Sequence, residues 1–256
     1  MNDRYNLRGL GILVTRPKDQ AGSLCRMIEE LGGEPLKFPA LEIAPPVDPG
    51  KVRGALNNVA SYDILIFISV NAVTRGLGYL DNRLPGKAKI AAIGRATARA
   101  LAEHGFPLTI VPEHHFDSEA LLEARELQSV SGQRILIFRG EGGRAFLGDS
   151  LRARGASVEY AEVYRRVCPE LAVKVEQLPW WSDLKLVTAT SGEIIDNLLA
   201  LFGSSGSERL LTLPLLVVSE RMRDHARALG FQQVILAEGP DDDSIMETLC
   251  RWMDSR

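Results

Sequence analysis

The chain predicts an α/β protein, with parallel sheets covered by helices on both faces and with one unit present twice. Three observations carry this. Short apolar runs rich in β-formers alternate with longer helical patterns, the order that gives parallel strands joined by crossover helices. Runs such as ILIF (135–138) and PLLVV (214–218) are apolar throughout rather than alternating, as strands buried on both faces are. The sequence also repeats itself. ILVTR at 12–16 aligns with ILIFR at 135–139, and at the same offset Gly32 meets Gly155 and Phe38 meets Ala161. DILIFIS at 63–69 echoes LKLVTATS at 184–191, and ARALAEHGF at 98–106 echoes ARALGF at 226–231. Recurrence at a fixed offset marks a duplicated structural unit.

Taken in order, the strands are expected at 11–15, 34–38, 63–68, 89–93, 108–111, 134–138, 157–161, 184–188, 214–218 and 233–236. Helices are expected at 19–31, 95–103, 118–127, 144–154 and 220–229, among others. Gly32–Gly33, Gly105, Gly155 and Gly230 each follow a helix and precede a strand, where a residue of left-handed conformation ends the helix. Asp117–Ser118 and Asp243–Ser244 read as N-cap signals, because their side chains can accept the free N–H groups of a first turn. The acidic run Asp241–Asp243 reads as cap and dipole complement. The stretch from Pro39 to Pro49 carries four prolines and reads as non-helical linker. YRRVCP at 164–169 is a second short linker at the same repeat offset. The domains are therefore expected at 1–38 with 170–256 and at 46–162, with 39–45 and 163–169 as the linkers that run side by side.

Bulk properties exclude several functions. The net charge of −3 gives no field for nucleic acid or an anionic membrane, and no basic stripe with interleaved aromatics is present. Three cysteines without C-x-x-C spacing argue against a disulfide framework or zinc site and fit a reducing, cytoplasmic setting. No apolar run approaches the length of a membrane span, and the N-terminus has no signal-peptide pattern. His114–His115 lack a third ligand at metal spacing, so no metal is expected. Cys25 reads as a core residue, and Trp180–Trp181 as a loop anchor.

In open parallel sheets, ligands bind beyond the carboxyl ends of the strands. The sequence places polar groups there repeatedly: Arg16, then Ser69 and Asn71, then Gly94, Arg95 and Thr97. They continue with Arg139, Gly140, Gly142, Gly143 and Arg144, then Thr190 and Ser191, then Ser219. Free N–H groups at helix starts and planar guanidinium groups suit a ligand with many carboxylates. Ordinary N-capping accounts for any single hydroxyl among them. Tyr164 stands in the second linker, where a phenol can donate a proton to a leaving hydroxyl. Two other readings stay open. Gly140-x-Gly142-x-x-Ala145, with Glu159 further on, matches a dinucleotide fingerprint and would serve an NAD(P)-dependent oxidoreductase. Two similar lobes also suit a ligand-binding module without turnover.

These residues resemble the uroporphyrinogen-III synthase family. The matching stretches are ILVTRP at 12–17, FISVNAV at 67–73, AAIGRATARAL at 91–101 and SEALL at 118–122. They continue with ILIFRGEGGR at 135–144, VYRR at 163–166, TSGE at 190–193 and LLVVSERM at 215–222, so the likeness covers nearly the whole chain in order. The resemblance implies a duplicated flavodoxin-like fold, two α/β domains joined by a two-stranded linker. It implies a cofactor-free lyase that closes linear hydroxymethylbilane to a macrocycle with inversion of ring D. Tyr164 matches the family's linker tyrosine, and Ser69, Thr97, Thr190, Ser191 and Ser219 match its strand-end positions. As partners it implies the linear tetrapyrrole substrate and a transient contact with hydroxymethylbilane synthase. The chain is then expected to act as a monomer, with no nucleic acid and no membrane.

Overall fold

The computed structural model describes residues 6–107, 109–112 and 117–255. In chain order the elements are β1 (Gly11–Val14), α1 (Gly22–Glu30), β2 (Glu34–Lys37), β3 (Glu42–Ala44), α2 (Pro49–Leu56), β4 (Ile64–Phe67) and α3 (Val70–Tyr79). Then come β5 (Lys89–Ala92), α4 (Arg95–Glu103), α5 (Ser118–Glu123), α6 (Arg125–Gln128), β6 (Arg134–Gly140), α7 (Phe146–Ala153) and β7 (Ser157–Val167). The chain ends with β8 (Leu184–Thr188), α8 (Gly192–Thr212), β9 (Leu215–Val217), α9 (Glu220–Ala228), β10 (Val234–Leu236) and α10 (Asp242–Asp254). It divides into two compact units, Met1–Glu42 with Val167–Arg256, and Ile43–Arg166.

The first unit holds a sheet of order β10-β9-β8-β1-β2. Its pairings are parallel, with Leu13 opposite Leu36 on one side and Val187 on the other. Alternate residues of these strands feed opposite cores. Leu13, Val187, Leu215 and Val217 pack with Ile194, Ile195, Leu198 and Met222 of α8 and α9. Ile12, Val14, Leu186 and Leu216 pack with Leu24, Cys25, Ile28, Ile245 and Leu249 of α1 and α10. The strands read as continuous apolar runs because neither face meets water. Trp180 and Trp181 pack against this core, Trp180 edge-on to Phe38 at 5.3 Å.

The second unit holds a sheet of order β3-β7-β6-β4-β5, with β5-β4-β6-β7 paired in parallel. Leu65, Phe67, Leu136 and Phe138 face α2, α3 and α4 through Val52, Val73, Leu77 and Leu101. Ile64, Ile66, Ile135 and Ile137 face α5, α6 and α7 through Leu121, Leu127, Leu147 and Leu151. Phe67 and Phe138 stack with centroids 4.3 Å apart. A Cβ on Gly76 would lie 2.7 Å from Phe138 Cδ1, so α3 seats its bare backbone on that ring.

Several expectations need correction. The strand expected at 108–111 is a single parallel bridge between Ile110 and Ala91, and Leu108 lies outside the described residues. Pro107 and Pro112 flank it and cannot donate to a ladder. The helix expected at 118–127 breaks at Ala124, whose extended ψ of 134° separates α5 from α6. The helix expected from Arg144 begins at Phe146. The strand expected at 157–161 runs on to Val167. The proline-rich stretch is not free of helix, since Pro49 opens α2 behind the cap Asp48. A proline at the first helical position has no N–H to waste. The cap of α10 is Asp241, which accepts from Ser244 N at 2.9 Å, rather than Asp243. The helix-ending glycines behave as expected: the repeat partners Gly32 and Gly155 have φ of 72° and 85°.

Phe138→Ala removes the ring on which β4, β6 and α3 converge. It is expected to destabilise the protein by about 3–5 kcal/mol, read as a lowered denaturation midpoint in urea with the tryptophan-bearing first unit as internal reference. A loss below about 1 kcal/mol would mean the stacked pair is not central to this core.

Candidate functional site

In the second unit the expected site residues gather at the carboxyl ends of β4, β6 and β7. Strand β7 pairs with β6 up to Tyr164 opposite Gly140, after a register shift between Arg139 and Gly140. The carbonyl of Tyr164 accepts from Glu141 N at 2.8 Å. Tyr164 lies within β7 and is 5% exposed. The hydroxyl end of its ring presses on Gly140: a Cβ there would stand 2.7 Å from Cε2 and 2.8 Å from Cζ. Its hydroxyl lies 3.1 Å from Ser69 Oγ. Ser69 follows β4, has extended backbone, and caps α3 by accepting Ala72 N at 3.0 Å. Asn71 lies half-buried in the first turn of the same helix.

The loop after β6 is held by Arg139. Its side chain is almost wholly buried, and its guanidinium donates to the carbonyls of Gly140 (3.2 Å), Arg144 (3.3 Å) and Gly143. It lies 4.5 Å over the Tyr160 ring and 3.6 Å from Glu162. The expectation that Arg139 grips a ligand carboxylate is corrected on this geometry, because its donors are committed to its own loop. The glycines have the same explanation. Gly140 makes room for the Tyr164 ring, and a Cβ on Gly143 would stand 2.9 Å from the Arg139 guanidinium. A pyrophosphate reading of this loop loses its ground, since the protein's own side chains fill the approach that the glycines open. Gly142 makes the turn with φ 69°, and Arg144 is left exposed.

Beside this loop lies a cavity of about 510 Å³ lined by Asp48, Lys51, Glu141, Tyr160 and Glu162, among others. Its carboxylates are engaged: Asp48 caps α2, Glu141 accepts Val47 N at 2.7 Å, and Glu162 faces Arg139. Three carboxylates against one lysine repel a carboxylate-rich ligand, so size alone does not make this cavity the site. At the end of β5, Gly94 opens α4, Arg95 is exposed, and Thr97 turns inward with Leu101 at 4% exposure. Thr97 is a core residue here, since positions four apart share a helix face.

In the first unit, Arg16 pairs with Asp242 and donates to Pro240 O at 3.1 Å. The neighbouring Asp241 carboxyl is held below its usual range, chiefly by the Ser244 backbone N–H, with the Ser244 hydroxyl and Arg16 adding to it. Ser191 and Ser219 cap α8 and α9 by accepting Ile194 N (3.2 Å) and Met222 N (3.3 Å), and Thr190 is half-buried. Burial pushes the Cys25 and Cys250 thiols up, away from the reactive thiolate. Among the described residues, no cluster of His, Cys, Asp and Glu could hold a metal, and no helix is long and apolar enough to cross a membrane. His114–His115 lie outside the described residues.

Sequence reasoning misses the Ser69–Tyr164 contact, the Arg139 brace and the Arg16–Asp242 pair. Each joins a side chain to a group placed by tertiary folding, and no local spacing signals it.

Comparison with known proteins places this architecture. A family model described as uroporphyrinogen-III synthase HemD matches residues 23–247. The uroporphyrinogen-III synthase of Escherichia coli is 35% identical over 245 residues, covering 94% of this chain and 100% of that one. The porphyrin biosynthesis protein HemD of Ruminiclostridium josui is 26% identical over 95% of this chain, which spans 48% of that longer protein. Among solved structures, a mutant uroporphyrinogen III synthase from Thermus thermophilus has the same fold, with TM-score 0.63, 18% identity, and coverage of 96% and 100% of the two chains. The Helicobacter pylori synthetase follows with TM-score 0.56 and 18% identity, covering 86% of this chain and 92% of its own. With the family model spanning most of its length and a relative matched end to end, the chain belongs to the uroporphyrinogen-III synthase family.

Proposed function

We propose that this protein converts hydroxymethylbilane to uroporphyrinogen III, with Tyr164 as the proton donor to the leaving hydroxyl. The observation that carries the site assignment is the Tyr164 phenol itself. It is held between Gly140 and Ser69 at the strand ends where ligands of parallel sheets bind. Protonation by Tyr164 lets the hydroxyl depart as water and leaves an azafulvene cation. The substituted carbon of ring D attacks it to form a spiro intermediate, and fragmentation and reclosure give the inverted ring. Spontaneous closure gives the type I isomer, so the protein acts mainly by orientation. Holding reacting atoms in line is worth several kcal/mol of barrier.

Substrate carboxylates are bound by exposed guanidinium groups and helix starts. Arg95 and Arg144 are exposed at the starts of α4 and the loop before α7. Gly94, Ser191 and Ser219 bring the first turns of α4, α8 and α9 to strand ends, with Thr190 and Asn71 beside such turns. Arg16 and Arg139 are engaged by the protein's own acceptors instead, and Thr97 is buried. We also read each unit as flavodoxin-like. In its own numbering the first unit has strand order 2-1-3-4-5, the order of that fold. Residues 39–45 and 163–169 are read as the linker, because the division between units falls within them, after Glu42 and after Arg166.

The test is a coupled assay in which porphobilinogen and hydroxymethylbilane synthase generate substrate in place and the oxidised isomers are separated by chromatography. Addition of this protein is expected to switch the product from type I to type III, and type I alone from folded protein would end the proposal. Tyr164→Phe is expected to lower turnover roughly ten- to a hundred-fold without abolishing it, at the low end of general-acid contributions because water can substitute. Unchanged turnover would remove the acid role.

The two arginines of the loop after β6 should separate. Arg144→Ala is expected to raise KM several-fold with kcat near wild type. Arg139→Ala is expected to lower thermal stability instead, by roughly 2–3 kcal/mol for lost charge-assisted bonds to buried carbonyls. The reverse pattern in steady-state kinetics and thermal unfolding would reassign them.

A further inference from the structure

We infer that Ser69 is a positioning residue for the Tyr164 phenol, acting by joining it to the N-terminus of α3; this rests on the function proposed above. A serine hydroxyl has one hydrogen to donate and two lone pairs. One lone pair of Ser69 is taken by Ala72 N at 3.0 Å, which fixes Oγ over the helix start. The phenol oxygen of Tyr164 lies 3.1 Å away, on a ring whose hydroxyl end is packed against Gly140, where a Cβ would stand 2.7 Å from Cε2. When the Tyr164 hydrogen points at the substrate, the Ser69 hydrogen is the one available to the phenol oxygen. Ser191 and Ser219 cap their helices at similar distances, but among the described residues neither meets a phenol.

The arrangement matters at the moment of proton transfer. The Tyr164 proton passes to the substrate hydroxyl, the carbon–oxygen bond breaks with its electron pair going to oxygen, and water departs. A phenolate and a carbocation remain. The Ser69 bond then becomes charge-assisted, which roughly doubles its strength. The free N–H groups of the first turn of α3 stand behind it, equivalent to about half a positive charge. When the macrocycle closes, the last pyrrole carbon to lose hydrogen returns a proton to the phenolate, and Tyr164 is restored. Ser69 is thus not itself catalytic. It stabilises the conjugate base of the group that is.

The experiment separates this role from capping. Gly and Asp both cap helices nearly as well as Ser, so Ser69→Gly and Ser69→Asp keep the start of α3, and thermal unfolding checks that they do. In the coupled assay Ser69→Gly is expected to lower kcat roughly five- to tenfold, the worth of one hydrogen bond, with KM near wild type. Ser69→Asp is expected to lose more, because it cannot donate and sets a negative charge beside the developing phenolate. Ser69→Thr, which restores a hydroxyl, is expected to stay within roughly twofold of wild type. In a Tyr164→Phe background Ser69→Gly is expected to cost almost nothing further. Wild-type kcat in the Gly and Asp variants overturns the inference. So does a loss that persists in the Tyr164→Phe background, or one that falls on KM, since Ser69 would then touch substrate directly. If wild-type protein makes type III product while these variants are unaffected, the inference alone fails. If wild-type protein makes only type I, the proposed function fails with it.

Discussion

The first sheet is parallel, the second is parallel across β5-β4-β6-β7, and parallel strands must be covered on two faces. The rest of the structure follows from that requirement. Strand residues alternate between two cores: Ile12 and Leu13 point to opposite ones, as do Ile66 and Phe67. Helices must therefore flank each sheet on both sides. The strand edges along each face are sealed, and polar chemistry is pushed to the strand ends, where chains turn into helices. The few polar groups kept inside are satisfied. Thr15 donates to Thr188 O at 2.5 Å and Thr188 donates to Leu13 O at 2.9 Å, which avoids the roughly 1–3 kcal/mol cost of an unmade buried bond.

The stretches that align in the sequence share backbone features but differ in side-chain use. Gly32 and Gly155 end equivalent helices with the same left-handed conformation, because the turn from helix to strand has few solutions. Arg16 and Arg139 stand at the same strand end in the two copies, yet their partners differ. Arg16 reaches across to Asp242 and Pro240 at the start of α10. Arg139 turns onto the carbonyls of its own loop. Each guanidinium takes the acceptors its neighbourhood offers, and a single helix packed nearby decides which those are.

This difference explains what the sequence could and could not tell. Strands buried on both faces announce themselves as apolar runs, and helix ends as glycines, so most of the order of elements was legible. Boundaries failed where local chemistry has two uses. Pro49 reads as a linker residue but opens α2, and the strand expected to end at 161 and the linker strand expected from 163 form one strand, β7, to Val167. Strand-end positions stand out in the sequence as a set, because polar residues there separate apolar strands from helices. Their individual roles do not. Arg139, Arg144, Thr97 and Arg95 look alike as polar residues after a strand, and only burial separates the inward pair from the outward one.

Tyr164 shows why such a separation matters for chemistry. A phenol in open water exchanges its proton freely and has no preferred direction. Here the ring is closed in by Gly140 and by neighbours in the apolar core of the second unit, with the hydroxyl left to Ser69. On the proposed reading, the phenol is thereby fixed in place before substrate arrives. Losing a hydroxyl is the easy part of macrocycle formation, since closure to the type I isomer proceeds unaided. The hard part is choosing which carbon of ring D attacks. In the mechanism proposed above, a rigid donor fixes one end of that choice, and guanidinium groups at separate strand ends are assigned the carboxylates that set the other. In the proposed mechanism selectivity depends on rigid placement more than on acid strength, and a close-packed glycine and a helix cap both bear on where the Tyr164 phenol stands.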